Sequence, residues 1–304
     1  MIRITAILAA LLFAALLAAC GGGANGGGAA TLKAVTTISV LEDLVREIGG
    51  DRVEVSSLLP AGADPHTYEP SPGQVRDVAE ADVVFANGLN LEPGALKVIE
   101  PNLSGGAALV RLGEEAINAG FPAQDGDEED EPTNPHLWLS ADAAREYARE
   151  VRDALALADA EGRETYDANY EAFLARLDEL DDYVQAKLSA LPEERRKLVT
   201  THDAFAYMAD YMGLEVVGVV AESPGQEPSA SDVADLVRTI KETGVPAVFE
   251  EPQLGAEASV LERAAEDSGV EVCTLYSDAL DDDVPTYIDL IRHNAEEIAR
   301  CLAA

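Results

Sequence analysis

The chain has 304 residues, with 57 Asp+Glu against 21 Lys+Arg, and its hydrophobic content of 47% excludes a chain too polar to bury a core. Its length admits one large domain or two of ordinary size. A net charge of −36 repels phosphates and anionic membrane surfaces, which argues against nucleic acid as a partner and gathers cations around the molecule.

The first residues set the compartment. Residues 2–19 read IRITAILAALLFAALLAA, one basic residue (Arg3) followed by an apolar run too short to span a bilayer. This is the pattern of a secretory signal peptide over residues 1–19. Leu17-Ala18-Ala19-Cys20 follows at once and resembles the bacterial lipobox, in which the Cys takes a thioether-linked lipid and becomes the mature N-terminus. Residues 20–32 then supply the lipidated Cys20 and a Gly-rich tether, GGGANGGGAA, with a reach of roughly 15–20 Å. A lipid, a flexible leash and a globular body describe an extracytoplasmic protein held at a membrane without crossing it. Beyond Cys20 only Cys273 and Cys301 remain. The compartment permits a disulfide between them, but the reading adopted is two buried free thiols. They lack CxxC spacing, so a thiolate metal site is not expected.

From Ala34 short apolar runs alternate with helical stretches, which predicts parallel sheets covered by helices. Strands are predicted at 34–37, 52–59, 81–86 and 108–112, with helices over 38–49 and 72–80. The acidic run QDGDEEDE, residues 124–131, reads as a solvated loop. Helical periodicity resumes at Ala141. Residues 163–191 contain no Gly or Pro, and Tyr166, Tyr170, Phe173, Leu174, Leu177, Leu180, Val184, Leu188 and Leu191 recur in steps of three and four. That predicts one long amphipathic helix connecting two halves. The second half alternates strands at 197–201, 214–220, 247–250 and 270–275 with helices over 204–213, 231–243, 256–268 and 284–302. The domain reading is an N-terminal α/β lobe over 33–160, a connecting helix over 161–192 and a C-terminal α/β lobe over 193–304.

In such sheets ligands bind beyond the carboxyl ends of strands. Three of the four His fall in segments of that kind. His66 lies in AGADPHTYEPSP, His136 in NPHLWLS, and His202 after KLVTT, where it is expected to open the next helix and be kept neutral by the helix dipole. His293 lies within the last helix and is assigned no role. No HExxH or HxxH spacing occurs, so local spacing alone identifies no metal site. Taken singly, each His reads as a loop residue satisfied by a backbone carbonyl rather than as a ligand, and only the three together, in three separate strand-end loops, bring convergence level with that reading.

The strings GADPHTYEPSP, ADVVFANGLNLE, NPHLWLS, TTHDAFAYMADYMG, SPGQEPSASDV, VFEEPQ and LYSDALDDDVPTYIDLIRHN, in this order, resemble the zinc/manganese ABC-transporter solute-binding lipoproteins of the ZnuA/TroA type. The resemblance covers nearly the whole chain after the tether. It implies two lobes, each a parallel sheet with flanking helices, joined by one rigid helix. It also implies a divalent ion held between the lobes by His66, His136, His202 and Asp278, and delivery of that ion to an ABC permease with its cytosolic ATPase. Three imidazoles and one carboxylate suit zinc, while the resemblance includes manganese binders too. The His-rich loop often found before the second ligand in zinc importers is replaced here by the acidic run. Glu251 and Trp138 are candidate supports around the ligands, and the acids at Asp281–Asp283 read as solvated. The protein is expected to be a monomer and not an enzyme. The rival reading is a secreted zinc hydrolase with three His ligands and an open fourth position, which requires Asp278 to stand away from the imidazoles. A chelate or haem receptor would want an Arg-lined or aromatic cleft, and an adhesin role is left open by the sequence.

Overall fold

A computed structural model describes residues 31–124, 133–221, 224–226 and 228–303. The expected signal peptide, Cys20, the tether up to residue 30 and the acidic run from 125 to 131 lie outside the described residues. Residues Leu32–Ala304 form one compact unit.

Two four-stranded, all-parallel sheets organise it. The first contains β1 (Leu32–Thr36), β2 (Val53–Ser57), β3 (Val83–Ala86) and β4 (Ala108–Arg111), in the order β2-β1-β3-β4. The second contains β5 (Lys197–His202), β6 (Glu215–Ala221), β7 (Ala247–Glu250) and β8 (Glu271–Thr274), in the order β6-β5-β7-β8. The two orders are the same pattern used twice. In each, the connection changes direction beside the first strand, and a crevice opens at the carboxyl ends there. Leu32, placed in the tether by the sequence reading, is the first residue of β1 and pairs with Val53.

Helices α1 (Ser39–Gly49), α2 (Pro72–Glu80), α3 (Pro93–Asn102), α4 (Leu112–Asn118) and α5 (Ala141–Ala158) belong to the first half. Helix α2 starts where a Pro at its first turn and a capping residue predict: Gln74 Oε1 accepts the Ser71 N–H at 2.7 Å. Helices α3 and α4 were not expected. Pro101 in the last turn of α3 and the absence of a break between β4 and α4 hid them. Gly94 of α3 lies under the loop of His66, where a Cβ would strike the Tyr68 carbonyl oxygen.

Helix α6 (Arg163–Leu188) is the expected long connector, about 39 Å from end to end. It stops three residues earlier than predicted. The Arg196 guanidinium turns back onto its end, donating to the carbonyls of Leu188 (3.2 Å) and Leu191 (3.1 Å). The second half adds α7 (Ala206–Met212), α8 (Ala230–Thr243), α9 (Gly255–Ser268) and α10 (Tyr287–Leu302). Gly213, with φ 68°, ends α7 in the left-handed conformation that glycine tolerates best. Helix α10 begins at Tyr287 rather than 284, because Pro285 disfavours helix before it and Thr286 Oγ1 caps the start by accepting the Asp289 N–H at 3.1 Å.

Helix α6 packs against α1, α5 and α10, so it is shared by both halves. One apolar cluster runs from Leu32 to Leu302 through Phe85, Trp138, Phe173, Phe205, Phe249 and Tyr287. A second, smaller cluster holds α8 and α9 to the second sheet through Val199, Leu236, Ile240, Val248 and Leu261. Cys273 of β8 and Cys301 of α10 are joined in a disulfide, with Cα atoms 6.7 Å apart. This corrects the free-thiol reading: α10 lies along β8 and brings the two sulfurs together, a proximity that a sequence separation of 28 does not reveal.

Candidate metal centre

The loop after β2 carries His66. Asp64 shapes it: Oδ1 accepts the His66 N–H at 3.0 Å and Oδ2 accepts the Thr67 hydroxyl at 2.7 Å. His136 precedes the short 3-10 turn Leu137–Leu139 that feeds α5. Asn134 Oδ1 lies 3.1 Å from its backbone nitrogen and 2.8 Å from its Nδ1. An amide oxygen only accepts, so Nδ1 carries the proton and Nε2 presents its lone pair. The Asn134 side-chain amide donates to the Asp203 carbonyl at 2.8 Å, across to the residue after His202.

His202 does not open a helix. It is the last residue of β5, and α7 begins four residues later. Its Nδ1 lies 2.9 Å from Glu251 Oε1, which also accepts the Thr201 hydroxyl. Glu251 follows β7 directly and is 1% exposed; its Oε2 accepts the Ser277 hydroxyl at 2.5 Å. Asp278 sits in the loop between β8 and α10 and is 1% exposed. The loop and the start of α10 are fastened to the first half by three bonds: Trp138 Nε1 to the Ser277 carbonyl (2.9 Å), Leu280 N to Ser39 Oγ (2.8 Å) and Tyr287 N to Asp43 Oδ2 (2.8 Å). Trp138 is thus both core and wall: it is fully buried and its ring lies 5.3 Å from that of His136. Asp281, expected to be solvated, instead caps this loop, accepting the Asp283 and Val284 N–H groups at 2.9 Å each and the Tyr276 hydroxyl at 3.0 Å.

The four predicted side chains converge. His66, His136, His202 and Asp278 offer ligand atoms that all lie within 4.8 Å of one another. His136 Nε2 is 3.2 Å from His66 Nε2 and 3.3 Å from His202 Nε2. Nitrogens at about 2.0–2.1 Å from one ion in tetrahedral array stand about 3.3 Å apart, so these two spacings are short enough for one transition-metal ion to bridge. Asp278 Oδ1 lies 3.6 Å from His136 Nε2 and, though buried, has no hydrogen-bond partner. A buried carboxylate oxygen left unpaired beside three imidazole nitrogens is what an absent cation would satisfy. The only other cluster of ligand-type residues among those described, Glu271, Cys273 and Cys301, has its sulfurs tied in the disulfide. His293 stands apart, stacked edge-on against Tyr276.

Electrostatics sort the four. Burial, and then the His202 cation, press the His66 ring down to about 4. Burial, and then the His202 and His66 rings, hold His136 well below the ordinary imidazole range. Both are neutral, as ligands must be. For His202 burial also opposes charge, but the Glu251 carboxylate outweighs it and holds the ring protonated in the metal-free protein. The helix-dipole argument for a neutral His202 fails because no helix starts there. Burial pushes Asp278 up to about 7, against the pull of His202.

The profile of the family described as zinc-uptake complex component A, periplasmic, matches residues 34–301. The chain belongs to this family. Among its relatives is the manganese-binding lipoprotein MntA of Halalkalibacterium halodurans, 32% identical over 269 residues, covering 87% of this chain and 86% of that protein. The iron ABC transporter substrate-binding lipoprotein MtsA of Streptococcus pyogenes is 28% identical over 281 residues, covering 90% and 89%. The periplasmic zinc binding protein TroA of Treponema pallidum superposes with a TM-score of 0.82 at 31% identity, covering 90% of this chain and 100% of that one. The family is one of solute-binding components and not of enzymes.

Asn134, Asp64, Ser277 and Gln253 were missed by the sequence reading. A signal existed for the first two. Asp64-Pro65-His66 and Asn134-Pro135-His136 each place an Asx residue two before a His, the spacing of an Asx turn. Gln253 and Ser277 carry no such signature.

Proposed function

We propose that this family member captures one divalent transition metal, zinc in the first place, through His66, His136, His202 and Asp278, and delivers it to an ABC permease driven by a cytosolic ATPase. The observation that carries the reading is the set of four converging donors, three buried and His66 partly so, with imidazole nitrogens 3.2 and 3.3 Å apart and an orphaned carboxylate oxygen beside them. Asp278 fills the fourth corner, so no open position remains for an activated water and the hydrolase reading loses its chemistry. Three borderline nitrogen donors and one oxygen favour zinc over harder ions. Manganese is the second reading, because the relative MntA is named for it and is 32% identical to this chain over 269 residues.

Each half contributes two donors. Glu251 fixes His202 by its Nδ1 so that Nε2 faces the ion, and Asn134 does the same for His136. Loading displaces the proton that His202 carries on Nε2, and the Glu251 carboxylate then offsets part of the ion's charge. The protein acts outside the cytoplasm, anchored through a lipid on Cys20 and working as a monomer.

The test is native mass spectrometry with elemental analysis on the unit from residue 31 onward, which holds its own core. One zinc per chain, lost in His202→Ala, is expected. A protein that stays metal-free in micromolar zinc and manganese overturns the reading.

A further inference from the structure

The two oxygens of Asp278 have different surroundings. Oδ1 faces the imidazoles and has no hydrogen-bond partner. Oδ2 lies 3.5 Å from Nε2 of Gln253, a half-buried side chain on the turn between β7 and α9. The same Nε2 donates to Ser277 Oγ at 2.7 Å and lies 3.5 Å from Glu251 Oε2 as well, so its second N–H is shared between the two carboxylates, and Ser277 in turn donates to Glu251. A single relay therefore runs from the anchor of His202, through Ser277 and Gln253, to the far oxygen of Asp278.

We propose that Gln253 determines metal specificity by keeping Asp278 monodentate, an inference that rests on the four-ligand site above. With Oδ2 engaged by an amide donor, only Oδ1 is free for the ion. Three imidazole nitrogens and one oxygen then make four donors, the number zinc takes in closed protein sites. Were Oδ2 released, the carboxylate could turn both oxygens to the ion and raise the number to five. Manganese, which favours oxygen donors and higher coordination numbers, gains from that change, and zinc gains nothing. A Gln suits the task because its amide donates without adding charge to a site that already holds two buried carboxylates.

The test uses Co2+ as a spectroscopic stand-in for zinc in the purified protein, in Gln253→Met and in Gln253→Glu. Methionine keeps the length and loses the donor; glutamate keeps the shape and replaces the donor with an acceptor. Four-coordinate Co2+ absorbs visible light far more strongly than five- or six-coordinate Co2+. The wild type is expected to give the intense four-coordinate spectrum, and both variants the weaker one. The ratio of manganese to zinc affinity, measured by competition titration, is expected to rise about tenfold in both. Metal-free melting temperatures report that the fold is kept, since Gln253 sits at a partly exposed turn. A wild type with five- or six-coordinate cobalt, or variants whose spectrum and affinity ratio match the wild type, overturns the role of Gln253 alone. A wild type that takes up no cobalt, zinc or manganese overturns the site and this role together.

Discussion

Asp64-Pro65-His66 and Asn134-Pro135-His136 share a local geometry: in both, the side-chain Oδ1 two residues earlier accepts the N–H of the His, at 3.0 and 3.1 Å. The Pro between them limits the backbone and holds the turn open. The ligands of the first half are thus oriented before any ion arrives. Only Asn134 also reaches the ring of its His, so its loss costs more. Asn134→Ala is expected to weaken zinc binding about 10–100-fold by calorimetric titration, and Asp64→Ala to weaken it less. Away from the ions, Glu92 is fully buried, with Oε1 accepting from Thr37 Oγ1 (2.9 Å) and Asn87 N (2.7 Å) and Oε2 unpaired. Burial pushes it up from 4.5 to about 7. An acid raised in the folded state holds a proton that the unfolded chain has lost, so stability is full below pH 4.5 and falls as pH rises toward 7. Glu92→Gln mimics the protonated form. Denaturant titrations at pH 5 and pH 8 are expected to differ less in the variant, by on the order of 3 kcal/mol. The three histidines were legible as strand-end residues, but their convergence was legible only through family likeness. Asp278 was legible only through family likeness, since one acid among 57 carries no mark of its own. Asn134 carries the mark of an Asx turn two residues ahead of its His.

At the scale of elements, strands β3 and β7 and helices α2 and α6 were readable from apolar runs and caps. Helix α3 was not, because a Pro and a Gly inside it argue for a loop on local grounds. Tertiary packing decides instead: Ala95 and Ile99 are fully buried, and Gly94 lets the Tyr68 backbone lie against the helix. Gly94→Ala therefore displaces the His66 loop, and is expected to lower metal affinity more than it lowers the metal-free melting temperature. The duplicated strand order has a duplicated detail. Thr37, after β1, donates to Glu92, and Thr201, near the end of β5, donates to Glu251, each Glu lying beyond the third strand of its sheet. In the second half that Glu holds a ligand; in the first it stays inside the scaffold, bonded to the backbone of Asn87, whose side chain holds the Pro135 carbonyl beside His136. The disulfide pins α10 to β8 and closes a loop of 28 residues. Loop-closure entropy puts its contribution at about 3.6 kcal/mol, so Cys273→Ser or chemical reduction is expected to lower the melting temperature by several degrees.

For the whole molecule, charge and cargo pull in opposite directions. A chain at −36 repels itself, and screening that repulsion favours the compact state. Raising salt from about 0.1 M to about 1 M shortens the screening length from about 10 Å to about 3 Å, and the melting temperature is expected to rise. Zinc at about a thousand times its dissociation constant should add about 4 kcal/mol of stability, read as a further upward shift in the melt. The division of donors, two from each half, has a last consequence. On the proposed four-ligand site neither half would keep the ion alone, so a bound ion would act as a rivet across a seam whose polar ties include the three hydrogen bonds made by the Asp278 loop and the start of α10, and the Asn134 bridge. A membrane receptor gripping both halves at once would then meet, in a loaded carrier, one fastening more than in a spent one.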